Sequence, residues 1–141
     1  MISIFLSINN NEEVLQLPVP PAKYPVTSLW NNEQVDGLQQ SLNIIGLKGL
    51  RAVEIESFFP VDGHDYPFLQ NREMWGMAYV DTLERWRERR FPVRLVITDR
   101  EGRQDLNMAV TIDEFEWEVR QDGDIYYTLK MTEFLFINVR R

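Results

Sequence analysis

His64 stands between Asp62 and Asp65, and an imidazole beside carboxylates is the beginning of either a zinc site or a Ser-His-Asp relay. The chain contains no cysteine and no second histidine, so neither assembly has its remaining members. His64 therefore reads as an ordinary exposed loop histidine. Asp62, Asp65, Asp122 and Asp124 are oxygen donors of the kind calcium takes, but they lack the loop spacing and closing glutamate of an EF-hand, and turn formation accounts for them. Glu54, Glu56, Asp113, Glu114, Glu116 and Glu118 could supply the paired carboxylates of a glycoside hydrolase. The pairs Glu54/Glu56 and Glu116/Glu118 are separated by two positions, which puts each on the wet face of an amphipathic strand. Glycine loops of the Walker or dinucleotide type are missing. Catalytic, cofactor-binding and metal-binding residues are therefore all read as none, and no enzyme is expected.

The elements that would have to position such groups are those of one small domain. The chain has 141 residues, 44% hydrophobic and 26% charged, which suits a single folded core and excludes wholesale disorder. Fifteen Lys and Arg against 22 Asp and Glu give a formal charge of -7, which repels a phosphate backbone and disfavours sequence-specific nucleic-acid binding. The exception is an acidic lumen, through which a polyanion would slide without sticking. Without cysteine the fold rests on its core alone. No stretch approaches a membrane span, and the apolar start Met1 to Ile8 has no basic region before it, so cytoplasmic synthesis without a secretion signal is expected.

Ile2, Ile4, Leu6 and Ile8 alternate with other residues as in a strand, Asn9-Asn10-Asn11 forms a turn, and Val14 to Leu17 returns until Pro18. Pro18, Pro20, Pro21 and Pro25 impose extended backbone suited to an edge or a crossing between sheets. Residues 31–49 read as a loop, mobile in the free subunit, in which Leu42, Ile44 and Ile45 form a short strand between glycine turns. Leu50 to Phe59 is a strand with Val53, Ile55 and Ser57 on one face. A helix is expected over about 72–90, capped by Asn71, with Gly76, Tyr79, Val80, Leu83 and Trp86 on the buried face. Asp81 and Arg85 are spaced to pair on the wet face, and Arg85, Arg87, Arg89 and Arg90, interleaved with Glu84 and Glu88, form a helix end and not a nucleic-acid patch. Pro92 ends the helix, and Val93 to Thr98 is a short strand.

The rest is a long hairpin, 107–139, turning at Asp122-Gly123-Asp124. Met108, Val110 and Ile112 are out of phase by one residue with Phe115, Trp117 and Val119, while Ile125, Tyr127, Leu129 and Met131 are out of phase with Phe134 and Phe136. If Gln121 pairs with Ile125, both strands change face at the same rung. Two explanations stay open: the hairpin tip packs on a neighbouring subunit, or a bulge lets a coiled hairpin wrap one closed core. On the first, Phe115, Trp117, Val119, Ile125, Tyr127, Leu129 and Met131 are the candidate subunit interface.

Several ordered segments resemble a known family: Glu13-Val-Leu-Gln-Leu-Pro-Val-Pro-Pro, Asn43-Ile-Ile-Gly-Leu-Lys-Gly-Leu, Ile55-Glu-Ser-Phe-Phe-Pro, Pro92-Val-Arg-Leu-Val-Ile-Thr, Asn107-Met-Ala-Val-Thr-Ile-Asp-Glu-Phe-Glu-Trp and Gly123-Asp-Ile-Tyr-Tyr-Thr-Leu. Nearly the whole chain is similar to the amino-terminal domain of LysM-carrying tail proteins of PBSX-like prophages, myophages and contractile injection systems. The resemblance implies a mainly β (α+β) fold, a tail-tube-like β-barrel or sandwich with one α-helix, spanning 1–141 as a single adaptor domain. It implies a homohexameric ring joining the tail tube protein to the baseplate hub or spike, with the tape-measure protein as a further partner. The protein would be made in the bacterial cytoplasm and assembled into a virion tail or injection particle. The family's LysM module is absent from this sequence, so peptidoglycan attachment is not carried over. A different class of function, cell-wall glycan binding, would use Trp30, Tyr66, Trp75 and Trp117 as an aromatic platform.

Overall fold

The computed structural model describes residues 1–136. Its elements are β1 (Ser3–Ile8), β2 (Glu13–Gln16), β3 (Val26–Thr27), β4 (Glu33–Asp36), β5 (Ser41–Ile44), β6 (Ala52–Phe59), α1 (Met77–Glu88), β7 (Val93–Thr98), β8 (Gln104–Val119) and β9 (Ile125–Glu133). The protein is mainly β, antiparallel throughout, with one helix, as the alternating patterns indicate. Seven strands form one sheet in the order β2-β1-β7-β8-β9-β6-β3, and β4 and β5 form a second sheet of two.

β1 and β2 pair across Asn9, Asn10 and Asn11, all at positive φ, a conformation that asparagine tolerates better than most residues. The alternation of β1 sends Ile4, Leu6 and Ile8 into the core. After Leu17 the prolines carry the chain across to the other end of the sheet. On the way Ser57 Oγ donates to the Val19 carbonyl (2.8 Å) and the Gln70 amide donates to that of Pro18 (2.9 Å).

The helix is shorter than its periodicity predicts. It starts at Met77 because Gly76, at φ 56 and ψ -122, turns the chain sharply and donates its amide to the Pro60 carbonyl (2.8 Å). Asn71 does not cap it: its Nδ2 donates to the Gln16 carbonyl (2.8 Å) and its Oδ1 accepts from the Glu73 amide (2.8 Å), closing a local turn well before the helix. Tyr79, Val80, Leu83 and Trp86 are buried on the sheet as expected. Each such side chain contributes roughly 1.5–3 kcal/mol by leaving water. The expected Asp81–Arg85 pair does not form; Arg85 reaches Glu13 on β2, Arg87 pairs with Glu84, and Arg89 with Glu12.

The hairpin of β8 and β9 differs from the sequence expectation in register and in consequence. Val119 lies opposite Ile125, Trp117 opposite Tyr127 and Phe115 opposite Leu129, two residues away from the register that pairs Gln121 with Ile125. The reason is the turn, in which the Arg120 amide donates to the Asp124 carbonyl and the Gly123 amide to that of Arg120, so the tight loop takes in residues 120–124. Between Ile112 and Glu114 the pairing slips by one, leaving Asp113 as an extra residue. That bulge absorbs the one-residue phase change: Leu106, Met108, Val110 and Ile112 before it and Phe115, Trp117 and Val119 after it all follow the inner face. The Asp113 carboxylate holds the bulge, accepting from the Thr111 hydroxyl (2.8 Å) and from that of Thr132. β8 therefore pairs with β7 along its first half and with β9 along its second, and both halves close over one core with α1. β9 ends at Glu133; the expected strand residues 137–139 lie outside the described residues.

Candidate functional site

The bulge decides the fate of the candidate interface. Phe115, Ile125, Tyr127, Leu129 and Met131 are buried in the chain's own core and offer nothing to a neighbour. Trp117 and Val119, beyond the cover of the core near the hairpin tip, are 39% and 59% exposed. The face switch as a reason to expect shared sheets is thereby corrected: an extra residue in β8, and not a second protein surface, restores the phase.

His64 is also placed differently from the expectation of an exposed loop residue. The turn between β8 and β9 buries Asp124, and the loop after β6 closes over it. The Asp124 carboxylate accepts three bonds: from the Val61 amide (2.9 Å), from His64 Nδ1 (2.8 Å) and from the Tyr66 hydroxyl (2.7 Å). Burial pushes the Asp124 carboxyl up, but the Tyr66, Val61 and His64 bonds outweigh it and hold the group below its ordinary range. The bond to Asp124 pushes the Tyr66 phenol up to about 12, with burial adding to it. A carboxylate fixing an imidazole is the orienting half of a catalytic relay. Among the described residues no serine, threonine or tyrosine hydroxyl bonds to the outer nitrogen of His64, and the three bonds to Asp124 fasten loop 61–66 to the hairpin turn. Sequence reading missed it because Asp124 and His64 are 60 positions apart, and an aspartate in a glycine turn looks like any other turn residue.

The remaining carboxylates separate by role. Asp122 accepts from the Asp124 amide within the turn, and Asp65 pairs with Arg72. Among the described residues no three His, Asp or Glu side chains converge as metal ligands would. The outer face of the β6-β9-β8 layer has the rungs Glu54–Lys130–Glu114, Glu56–Thr128–Glu116 and Phe58–Tyr126–Glu118. Glu56, Glu114, Glu116 and Glu118 are solvent-exposed, as their spacing implies.

Of the four residues of the aromatic platform, only Tyr66 has a ring partner among the described residues. It stacks on Phe68 (5.2 Å) and meets Phe58 edge-on (5.9 Å), and Phe58 stacks on Tyr126 (5.2 Å) beneath the Arg120 guanidinium. Trp30, Trp75 and Trp117 do not join it.

The largest departure is residues 29–49. The expected strand at Leu42 and Ile44 is present as β5, but instead of lying in a loop it pairs with β4 in a two-stranded arm, and the Leu29–Asn31 and Leu47–Gly49 segments continue the ladder towards the body. Every residue from Val26 to Ile45 is exposed. The arm presents Leu29, Trp30, Leu38, Ile44, Ile45 and Leu47 to solvent, the last two at 80% and 81%.

No protein-family model and no curated protein matches the chain. No helix among the described residues is long and apolar enough to cross a membrane.

Proposed function

We propose that this chain is a structural subunit of a phage tail or phage-tail-like contractile particle, a ring-forming adaptor between the tail tube and the baseplate hub. The observation that carries the self-assembly half is the arm. An isolated pair of strands is marginally stable in water, and this one bears a run of exposed aliphatic and aromatic side chains that a solitary subunit would normally bury or replace with charge. An identical neighbour that covers the arm supplies the missing layer. Subunits linked in this way through unlike surfaces close into a ring when the rotation allows; six subunits is what the resemblance implies. The tail setting, with tube, hub and tape-measure proteins as partners and an acidic lumen, rests on the resemblance of the ordered segments named above.

A second reading, a glycan-binding module of a tail protein, is favoured by the Phe58, Tyr66, Phe68 and Tyr126 cluster, in which Phe68 is 41% exposed. One set of measurements separates the two. Light scattering and negative-stain imaging of the purified chain are expected to reveal cyclic oligomers. Replacing residues 31–47 by a short Gly-Ser turn is expected to give a folded monomer, and neither protein is expected to be retained on peptidoglycan. A full-length chain that stays monomeric at every concentration tested overturns the assembly reading, and retention on peptidoglycan installs the glycan reading in its place.

A further inference from the structure

A groove of about 700 Å³ lies on the outer face of β1, β7 and β8, with Phe91, Val96, Ala109 and Phe136 as apolar walls and Asn107 and Arg94 as polar ones. Among the described residues its lining has one cation and no anion. The apolar face of the arm has the opposite character: Val35, Leu42 and Ile44 share it with Glu33, while Asp36, with Ser41, is on the other face. We infer that the arm of one subunit docks in this groove of a second copy of the same chain. The inference rests on the assembly reading above and names the surface that reading leaves open.

Charge selects this groove over the other outer face of the sheet. The β6-β9-β8 layer bears Glu54, Glu56, Glu114, Glu116 and Glu118 against Lys130 and Arg120, five negative charges to two positive, and would repel Glu33. Arg94 would attract it. The arm does not occupy its own groove: no arm residue lines it, and among the described residues neither β4 nor β5 pairs with a strand of the body, so the contact is assigned to a second copy. Donor and acceptor surfaces are different patches of one chain, so each subunit gives an arm and takes one, the head-to-tail arrangement that makes rings.

The absence of cysteine makes the contact directly testable. Val35→Cys on the apolar face of the arm and Asn107→Cys in the groove are prepared separately and mixed under mild oxidation. A disulfide-linked dimer in the mixture, and none in either variant alone, is the expected result. The double variant should give a ladder of linked oligomers. Arg94→Glu should raise the concentration for half-assembly about tenfold, and adding Glu33→Arg should restore it. A dimer from Val35→Cys alone (arm to arm) or from Asn107→Cys alone (groove to groove) overturns the inference. So does an intrachain disulfide in a monomeric double variant, which would mean that the arm folds onto its own groove. If deleting the arm abolishes assembly while the mixture remains unlinked and Arg94→Glu assembles normally, the groove is the wrong surface and the assembly reading survives. If the full chain never assembles, both fall.

Discussion

β6 and the arm strands β4 and β5 are built from similar residues and end differently. In β6, Val53, Ile55 and Phe59 alternate with Glu54, Glu56 and Phe58, and the first set is 2%, 0% and 0% exposed. In the arm, Val35, Leu42 and Ile44 are 40%, 49% and 48% exposed. The backbone pairing is equally regular in both. What differs is the layer beyond: β6 has α1 across its inner face and β9 at its side, whereas the arm has only its own partner strand. A strand pattern therefore records the need for an apolar neighbour and leaves open whether the same chain supplies it. The body supplies its own, and among the described residues nothing covers the arm.

The comparison breaks most directly at the centre of the body. Phe59 is fully buried between the rings of Tyr79 (4.7 Å) and Tyr127 (4.1 Å). Phe59→Ala should lower the unfolding free energy by about 3–5 kcal/mol, read as a fall in the denaturant midpoint with an unchanged slope. The hydroxyls of Tyr79 and Tyr127 are buried without a hydrogen-bond partner among the described residues, so water entering the cavity would find donors there and hold the loss near the lower end. A change under about 1 kcal/mol would mean that the aromatic stack is not the centre of the core.

The next effect tests the fastening that joins loop to hairpin. Asp124 is held below its ordinary range in the folded state, so its stabilisation is fully present above the unfolded value near 3.8 and is lost as pH falls through the lower, folded one. Asn offers one acceptor oxygen where the carboxylate offers two, which leaves one of the three donors unpaired. Asp124→Asn should cost about 1–3 kcal/mol at pH 7. The stability difference between the two proteins should shrink below about pH 4. Glu12, held low by Asn9 and then Arg89, and Glu133, held low by Arg51, give both proteins the same additional acid sensitivity. The Tyr66 phenol should also fall from about 12 towards its ordinary 10, visible as an earlier step in the ultraviolet titration of the variant. A pH-independent difference between the two would remove Asp124 from the fastening.

How far these features were legible depends on whether their cause is local. The β1–β2 hairpin, the inner face of β6 and the buried stripe of α1 follow from periodicity, because each is set by side chains a few positions apart. The start of α1 does not: Gly76 continues the apolar spacing, and only its backbone angles exclude it. The phase slip in β8 is ambiguous on principle, since a bulge and a change of face leave the same one-residue shift in the pattern. Asp113, pinned by Thr111 and Thr132 from two strands, distinguishes them only once the register is known. For the arm, glycine turns and scattered apolar residues suggested a loop with one strand. The second strand, Glu33–Asp36, has a single apolar residue, and exposure is a property of what is not there to cover it.

The smallest expected effect on stability sharpens the comparison from the arm's side. Ile44 and Leu47 are aliphatic residues whose counterparts in the body would each cost several kcal/mol to replace by a polar residue. In the isolated subunit Ile44 is already 48% and Leu47 81% exposed, so Ile44→Ser and Leu47→Ser remove little buried area. In dilute solution both should leave the denaturant midpoint within about 0.5 kcal/mol of the parent. On the proposed assembly, the same substitutions should weaken association at higher concentration, because there the side chains leave water only by entering a neighbour. A loss of more than about 2 kcal/mol in the dilute monomer would mean that the arm folds onto the body in solution, and the contrast between a self-sufficient sheet and a dependent one would disappear.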